Sequence, residues 1–318
     1  MSDLSVVVVT WNGWTFLSEC LASLDRAIRR PATLDLQVVV VDNGSEDGTC
    51  RELAARFPWA ECIALPKNRG FAAGANAGLR RASGRHAVLL NNDTTVPAGA
   101  LEACVAYIDA HPEVGVVGPQ LRGPDGRKQN SVHNEPGLIT EIVPGWLLQT
   151  VWPGRYPSKR QAPAGPVAVD AVLGACLVVR AEVLARVGLL PEDYFFFLEE
   201  TDWCRAIRRA GWGVRHLPGV EVTHVHGATS KKRDPARTRI EYHRSLYRFF
   251  RKNRGPAAFG ALLAVRLVKS TLHVIVGAPA ALFSRKAREQ WWARWRVLAW
   301  HLSGRPEGWG LAPACGGH

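Results

Sequence analysis

The sequence predicts an α/β fold, a mostly parallel sheet flanked by helices, followed by a basic amphipathic helical tail. Three observations lead there. Unbroken β-branched runs alternate with helix-length amphipathic segments over the first two hundred residues, the pattern of parallel βαβ units. The apolar runs end abruptly in polar clusters, as strands do when their carboxyl ends line a ligand crevice. The charge is also segregated: residues 231–318 hold 18 of the 40 Lys and Arg but 4 of the 28 Asp and Glu, a net of +14 against −2 for the rest.

The elements follow in order. Ser5–Thr10 shows no polar alternation, so it reads as a strand buried on both faces. A helix is expected from Thr15 to Arg29, then a second apolar strand over Leu36–Val41 that stops at Asp42-Asn43-Gly44-Ser45. Glu52–Phe57 reads as helix, Cys62–Leu65 as a short strand and Ala72–Ala82 as helix. His86–Leu90 is a strand closed by Asn91-Asn92-Asp93, and Gly99–Ala110 is a helix. From Leu121 to Asp170 the chain is rich in Gly and Pro and lacks periodicity, which predicts an irregular segment. Strand signal returns at Val172–Val179, with helices over Ala181–Val187 and Glu199–Ala210. The expected organisation is a catalytic domain over 1–235 and a basic helical region over 236–318.

Composition narrows the class. With 47% hydrophobic and 21% charged residues in 318, the chain is globular. Its seven cysteines are scattered, odd in number and without a CxxC pair, which argues against a disulfide framework or zinc ribbon and fits a reducing cytosol. The opening MSDLSVVVVTW lacks a basic n-region and reads as a first strand, not a signal peptide.

Five clusters carry chemistry. Asp42, at a strand end, is placed to accept hydrogen bonds from a base or ribose, although Asp-Asn-Gly-Ser is good turn chemistry by itself. The glycine spacing from Asn68 to Gly78 lets a backbone approach a ligand and offers helix N–H groups to a diphosphate; tight packing on a sheet demands the same small residues. Asp93 is a hard oxygen ligand suited to Mg²⁺ or Mn²⁺, or simply part of a turn. In Phe195–Trp203, three carboxylates fall within four residues beside a run of aromatics. Glu199 and Asp202 share a helical face, and apolar neighbours raise a carboxyl toward general-base range. A helix dipole explains the acids but not the aromatics. His224 and His226 fall on one side of a strand, either as metal ligands or as structural residues.

Taken together, VVVVTWNG, VVVVDNGS, NRGFAAGANAGL, VLLNNDT, LGACLVVR, FFFLEETDWCRAIRRAGW and HVHG resemble the successive motifs of glycosyltransferase family 2, nearest its rhamnosyltransferase-like branch. The resemblance covers residues 4–255. It implies a Rossmann-like GT-A fold, an inverting single displacement and a divalent metal, Mg²⁺ or Mn²⁺. Matched position by position, it implies that Thr10, Asn12, Asp42, Asn68, Gly70, Asn76, Asn92, Asp93, Gly174 and Ala175 serve the nucleotide-sugar donor. Asp93 and His224 would hold the metal. Glu200 matches the catalytic base, with Glu199 as the alternative and Asp202 beside them. Two departures stand out: Asn91 where the family often has Asp, and Glu at the base position where Asp is common.

The tail alternates cations and aromatics at helical spacing over Ile240–Lys252, and Arg244 and Lys252 are candidates for donor or acceptor phosphates. In Pro256–Phe283, Arg266, Lys269 and His273 interrupt every apolar stretch short of a simple span and form one polar stripe. Next, Trp291, Trp295, Leu298 and Leu302 predict an apolar face opposed by Arg285, Arg288, Arg294 and Arg296. Basic amphipathic helices with tryptophans predict peripheral attachment to the anionic cytoplasmic face of a membrane. Helices packed on protein or in a homodimer are the other reading of the same pattern. The expected acceptor is a glycan, here a polyprenyl-diphosphate-linked one, and no nucleic-acid-reading motif is present. A nucleotidyltransferase and a non-catalytic nucleotide-sugar-binding scaffold are the rival functions.

Overall fold

The computed structural model describes residues 2–28, 34–156, 164–225 and 234–312, which form two compact units. The first comprises Met1–Glu135, Pro157–Asp193 and Glu199–Ala228; the second comprises Pro136–Tyr156, Tyr194–Leu198 and Thr229–His318. The division is therefore not one cut near residue 235. Two short segments from within the first two hundred residues count with the helical unit, because their apolar side chains belong to its core.

In the first unit the strands are β1 (Leu4–Thr10), β2 (Leu36–Asp42), β3 (Glu61–Ala64), β4 (His86–Asn91), β5 (Thr94–Thr95), β6 (Val114–Arg122), β7 (Val132–His133), β8 (Val167–Ala168), β9 (Ala171–Val172), β10 (Cys176–Arg180) and β11 (Gly213–His224). Its helices are α1 (Trp14–Ile28), α2 (Thr49–Arg56), α3 (Phe71–Leu79), α4 (Ala100–Ala110), and, beyond two helices of the second unit, α7 (Ala181–Val187) and α8 (Glu199–Arg209). The main sheet runs β3-β2-β1-β4-β10-β6-β11-β5, with β8 pairing β11; β7 and β9 form a separate two-stranded sheet. Strands β1 to β4 are parallel, as are β6 and β11, whereas β10 is antiparallel to both its neighbours. The sheet is thus mixed at β10, and β5 and β8 also pair antiparallel to β11.

Burial explains the unbroken runs. On β1, Val6 and Val8 enter a core with α1 and α4, while Val7 enters a second core with α3 and α8. Both faces are covered, so alternation has no reason to appear. Helix α3 lies especially close to the sheet. A Cβ on Gly74 would stand 2.8 Å from Val9 Cγ1, and one on Gly78 would collide with Val7 Cγ1 and stand 3.1 Å from Val41 Cγ2. These glycines are there for packing.

The second unit contains α5 (Leu138–Ile142), α6 (Gly145–Val151), α9 (Pro235–Asn253), α10 (Pro256–Phe283) and α11 (Arg285–Leu302). The first two lie in the segment expected to be irregular; they are too short for helical periodicity to stand out. Asp234 caps α9 by accepting from Ala236 N at 2.8 Å, and Pro235 occupies the first turn. Tyr194, Leu198, Ile240, Leu246, Tyr247, Phe249, Phe250, Leu262, Val297 and Trp300 form the core. On α11 the buried face is Ala293, Val297, Leu298 and Trp300, while Trp295 and Leu302 are exposed. That corrects the expected Trp291–Leu302 face: the helix has apolar residues all round, and its neighbours select which are buried. Among the described residues, α10 alone is long and apolar enough to cross a membrane, and 11% of its most apolar window is buried. The polar stripe did not break it. Arg266 instead pairs with Glu141 on α5, and Lys269 donates to the Glu141 carbonyl.

Gly78→Ala separates packing from helix propensity. In an exposed helix the change stabilises by up to about 1 kcal/mol. Here the collision with Val7 reverses the sign, and a loss of about 1–3 kcal/mol is expected in urea unfolding; an unchanged or higher midpoint would refute the close approach.

Candidate active site

The parallel strands bring the predicted polar clusters to one sheet edge. Thr10 and Asp42 are register partners at the ends of β1 and β2, and Asn91 ends β4 opposite Val9. Asn92 Nδ2 donates to Thr10 Oγ1 at 2.9 Å, so the loops after β1 and β4 are tied together. Asn12, at φ 47°, accepts from Glu46 N at 2.8 Å through its side chain, and its own N–H donates to Ser45 Oγ. Asn43 donates to Asn68 Oδ1 at 3.2 Å and to the Gly70 carbonyl at 2.9 Å. Asn68 Oδ1 also accepts from Gly70 N, fixing the turn into α3. Thr10, Asn12, Asp42, Asn68, Gly70 and Asn92 thus share one hydrogen-bonded edge.

Asp42 makes the Asx turn: Oδ1 accepts from Ser45 N at 2.9 Å, and Oδ2 accepts from the Cys50 thiol at 2.9 Å. Burial and the Asp42 carboxylate push the Cys50 thiol far above its usual range. Each Asp42 oxygen keeps a second lone pair, so the turn does not remove its capacity to accept from a ligand. Asn76 is different. It is buried, donates to the Leu190 carbonyl at 2.8 Å and to Glu192 Oε1 at 3.0 Å, and accepts from Leu190 N at 3.0 Å. Both amide N–H groups are committed inside the protein, where they position the Leu189–Asp193 loop. Ala175 is also buried; its carbonyl accepts from Asn91 N at 3.1 Å and Thr94 Oγ1 at 3.2 Å. Gly174 beside it lies against the Phe71 ring, where a Cβ would make ordinary contact at 3.5 Å.

The pairing of β5 with β11 joins Asp93 to His224. The Val225 N–H donates to the Asp93 carbonyl at 2.9 Å, and His224 Nε2 lies 3.3 Å from Asp93 Oδ1, both side chains being buried. Gln129 decides what this contact means. Its Nε2 donates to the His224 carbonyl at 2.8 Å, which turns its Oε1 toward His224 Nδ1 at 3.0 Å. Nδ1 therefore carries a proton, and Nε2 turns toward a carboxylate oxygen. Two acceptors do not face each other at this distance without a proton or a cation between them. The separation suits neighbouring ligands of one octahedral ion, about 3 Å apart when each bond is about 2.1 Å. The residues fit a divalent metal: one carboxylate, one imidazole and a glutamine orienting the imidazole. No group of three His, Cys, Asp or Glu gathers among the described residues, so a ligand's own oxygens and water would complete the shell. His226 lies outside the described residues.

In the first turn of α8, Glu199 and Asp202 are buried, and Glu200 is half-buried with its Oε2 enclosed and lacking a hydrogen-bond partner among the described residues. Burial pushes the Glu200 carboxyl up to about 7, against the opposing pull of the Glu200 and Thr201 N–H groups. Phe197 and Leu198, just before it, adopt φ of 75° and 67°. Bulky residues seldom occupy that region, and such outliers cluster at functional sites. At the other end of α8, Arg205 and Arg208 both pair with buried Glu135. No direct contact links Glu200 to Asp93 or His224 among the interactions above; the common scaffold is the sheet, with α8 packed on β9 and β11. Arg244 is occupied too, paired with Glu241 at 3.3 Å and donating to the Glu307 carbonyl at 3.0 Å, while Lys252 is exposed. Reading the chain linearly missed Gln129 and Glu135: both lie in the aperiodic segment, where a single amide or carboxylate gives no signal.

A mixed sheet with helices on both faces and a polar edge at the strand ends place this chain among α/β proteins that take a ligand at the strand ends. Residues 5–188 match the family model "Glycosyl transferase family 2", and the chain belongs to that family. It is a glycosyltransferase of the rhamnosyltransferase-like branch. It is 32% identical over 266 residues to N-acetylglucosaminyl-diphospho-decaprenol L-rhamnosyltransferase of Mycobacterium tuberculosis, covering 78% of this chain and 84% of that one. It is 24% identical to the dTDP-rhamnosyl transferase RfbF of Shigella flexneri, covering 86% and 87%. Among solved structures it resembles the mannosyltransferase PcManGT of Pyrobaculum calidifontis in complex with GDP-Man and Mn²⁺, with TM-score 0.55, 21% identity, and coverage of 96% and 87%. It also resembles GalNAc-T7 with UDP, GalNAc and Mn²⁺, with TM-score 0.54, 15% identity, and coverage of 77% and 48%. The fold is GT-A.

Asn76→Ala tests the positioning role. Leaving Leu190 N and its carbonyl without the amide should cost about 1–3 kcal/mol in unfolding while the thermal response to nucleoside diphosphates survives. A lost response at unchanged stability would return Asn76 to the donor site.

Proposed function

We propose that the protein moves a sugar from a nucleotide-sugar donor to a lipid-linked glycan acceptor by an inverting single displacement, in the assembly of a cell-surface polysaccharide. The observation that carries the reading is the Asp93–His224 pair, oriented by Gln129 at the polar sheet edge. The M. tuberculosis relative's name specifies a diphospho-decaprenol acceptor and an L-rhamnosyl group, and the S. flexneri relative's name specifies dTDP-rhamnose. These names favour dTDP-rhamnose over a UDP-hexose, and the acceptor follows from the first.

In this reading Asp42, Asn12 and Asn68 hold the nucleoside end, and the Gly70 turn gives the donor close access to the backbone. Asp93 and His224 hold Mg²⁺ or Mn²⁺; when bound, the ion neutralises the charge that develops on the departing diphosphate. Gln129 keeps Nε2 of His224 directed at that position. Glu200 takes the proton from the attacking acceptor hydroxyl. A carboxyl near 7 is matched to that task, since it is ionised in a useful fraction yet basic enough to accept. The strained Phe197–Leu198 backbone and the Glu135 clamp on α8 position that carboxyl.

We further propose that the protein attaches peripherally to the cytoplasmic face of the membrane through its helical unit. Support comes from the exposed apolar side chains of α10, including Val276 at 75% and Phe283 at 87% exposure, and from exposed Trp146 and Trp152. The surplus of positive charge supplies attraction to anionic lipid.

Thermal shift with dTDP, UDP and GDP, with and without Mn²⁺, should show a metal-dependent rise for dTDP that Asp93→Ala and His224→Ala abolish. A rise that both variants retain would rule out this pair as the metal site. Glu200→Gln should keep the nucleotide response and lose about 10²–10⁴-fold in kcat. In the parent enzyme, kcat should fall as pH drops through about 7, because the base becomes protonated. The native carboxyl also holds its proton to higher pH than the unfolded one. Its stability contribution is therefore full below 4.5 and lost as pH rises through about 7, and Glu200→Gln should flatten that dependence. A parent profile without the acidic limb, or full activity in Glu200→Gln, would exclude Glu200 as the base.

A further inference from the structure

The helical unit holds a half-open pocket of about 440 Å³ that gathers more positive charge than the described carboxylates around it answer. Arg239 of α9, Arg266 and Lys269 of α10, and Arg294 of α11 converge on it, with Phe197 and Tyr242 among its walls. One carboxylate answers these four cations: Glu141, which pairs with Arg266. Lys269 reaches the Glu141 carbonyl, not its carboxylate. Among the described residues Arg239 and Arg294 have no acidic partner. His243 is buried against the same space with Nδ1 unpartnered, and the buried Nε of Arg266 is unpartnered as well.

Gathering like charges in a half-buried space is unfavourable unless an anion joins them. The neighbouring groups register that field. Burial and Arg294 lower Arg239, and burial followed by Arg294, Lys269, Arg239 and Arg266 lowers His273. Side-chain packing alone does not call for this convergence, because any of these residues on the outer helix faces would sit in water at no electrostatic cost. Three arginines and a lysine are the donor set that recognises a phosphate ester or diphosphate. The volume lies within the range of small-molecule sites. The same α10 that turns Arg266 and Lys269 inward presents Leu267, Val268, Leu272, Ile275 and Val276 outward, all exposed. An anion site and a broad apolar surface on one helix match an anionic group carried by a lipid better than a free nucleotide.

We propose that this pocket binds the diphosphate of a lipid-linked molecule, with Arg239, Arg266, Lys269 and Arg294 holding the phosphates and Phe197 and Tyr242 the adjoining apolar stem. The assignment rests on the lipid-linked acceptor reading above and gives that acceptor's diphosphate a place on the chain. Arg244 and Lys252, the cations singled out from sequence, are not part of it.

The test uses the full chain and isothermal calorimetry with three probes: farnesyl diphosphate, inorganic pyrophosphate, and vesicles of phosphatidylcholine with phosphatidylglycerol. Farnesyl diphosphate should bind more tightly than pyrophosphate. Arg239→Gln with Arg294→Gln should weaken both by roughly tenfold or more, whereas Arg239→Lys with Arg294→Lys should recover most of the loss. The dTDP and Mn²⁺ response serves as the folding control and should be unchanged in every variant. Farnesyl diphosphate binding that is absent, or equal in parent and glutamine variant, overturns the proposal. So does binding to vesicles alone, which would mark a general membrane charge. A lost nucleotide response in the parent, with farnesyl diphosphate binding intact, would sink the donor reading and leave the pocket standing.

Discussion

Burying β1 on both faces imposes a constraint from which the architecture of the sheet unit follows. Its backbone groups are satisfied by β2 and β4, and its valines divide between two cores. A strand in that position has no solvent face on which to carry polar side chains, so they are excluded to its end. Because β1, β2 and β4 are parallel, their ends coincide, and Thr10, Asp42 and Asn91 arrive at one edge without any contact being made for that purpose. The glycines of α3 extend the same constraint by letting the helix approach close enough to seal the sheet. The helix start and its Asn68–Gly70 turn then fall at the same edge.

Within the sheet unit, carboxylates of similar chemistry are given different surroundings. Asp42 accepts from a backbone N–H and a thiol, and Asp93 faces an imidazole nitrogen. Glu200 has an oxygen enclosed without a partner and is pushed toward neutrality. Glu135 is answered twice over by arginines and holds α8 in place. Only for Glu200 does burial outweigh the hydrogen bonds it accepts and push the carboxyl up.

The helical unit uses the reverse arrangement. Its aromatic core leaves α10 with a cationic side facing the cavity and an apolar side facing out. Positive charge is thereby concentrated in a half-buried space, and apolar surface is left where water is plentiful. Both are unfavourable for an isolated soluble protein, and both are relieved by one kind of partner, an anionic group attached to hydrocarbon.

The first two hundred residues were legible as α/β because local signals and tertiary fate agree there: strands with two buried faces read as unbroken runs, and their polar ends mark the edge. The clusters at Asp42 and Asp93 were visible for the same reason, whereas Asn68 was marked by glycine spacing and Glu200 by acids beside a run of aromatics. Other features depended on distance. Nothing local reports that Gln129 meets His224 across 95 positions, that Asn76 spends its amide on Leu190, or that Glu135 clamps Arg205 and Arg208. Direction also escaped the pattern, since β10 is apolar whichever way it runs. The stripe Arg266, Lys269 and His273 was plain in sequence, but periodicity says only that residues share a face, not whether that face meets water, lipid or protein. Sequence by itself determined the class of the sheet and where polar groups end β1, β2 and β4, but it did not reveal the strands Val114–Arg122 and Gly213–His224. Tertiary structure decided which of those groups meet, because hydrogen bonding and burial act through space while periodicity acts along the chain.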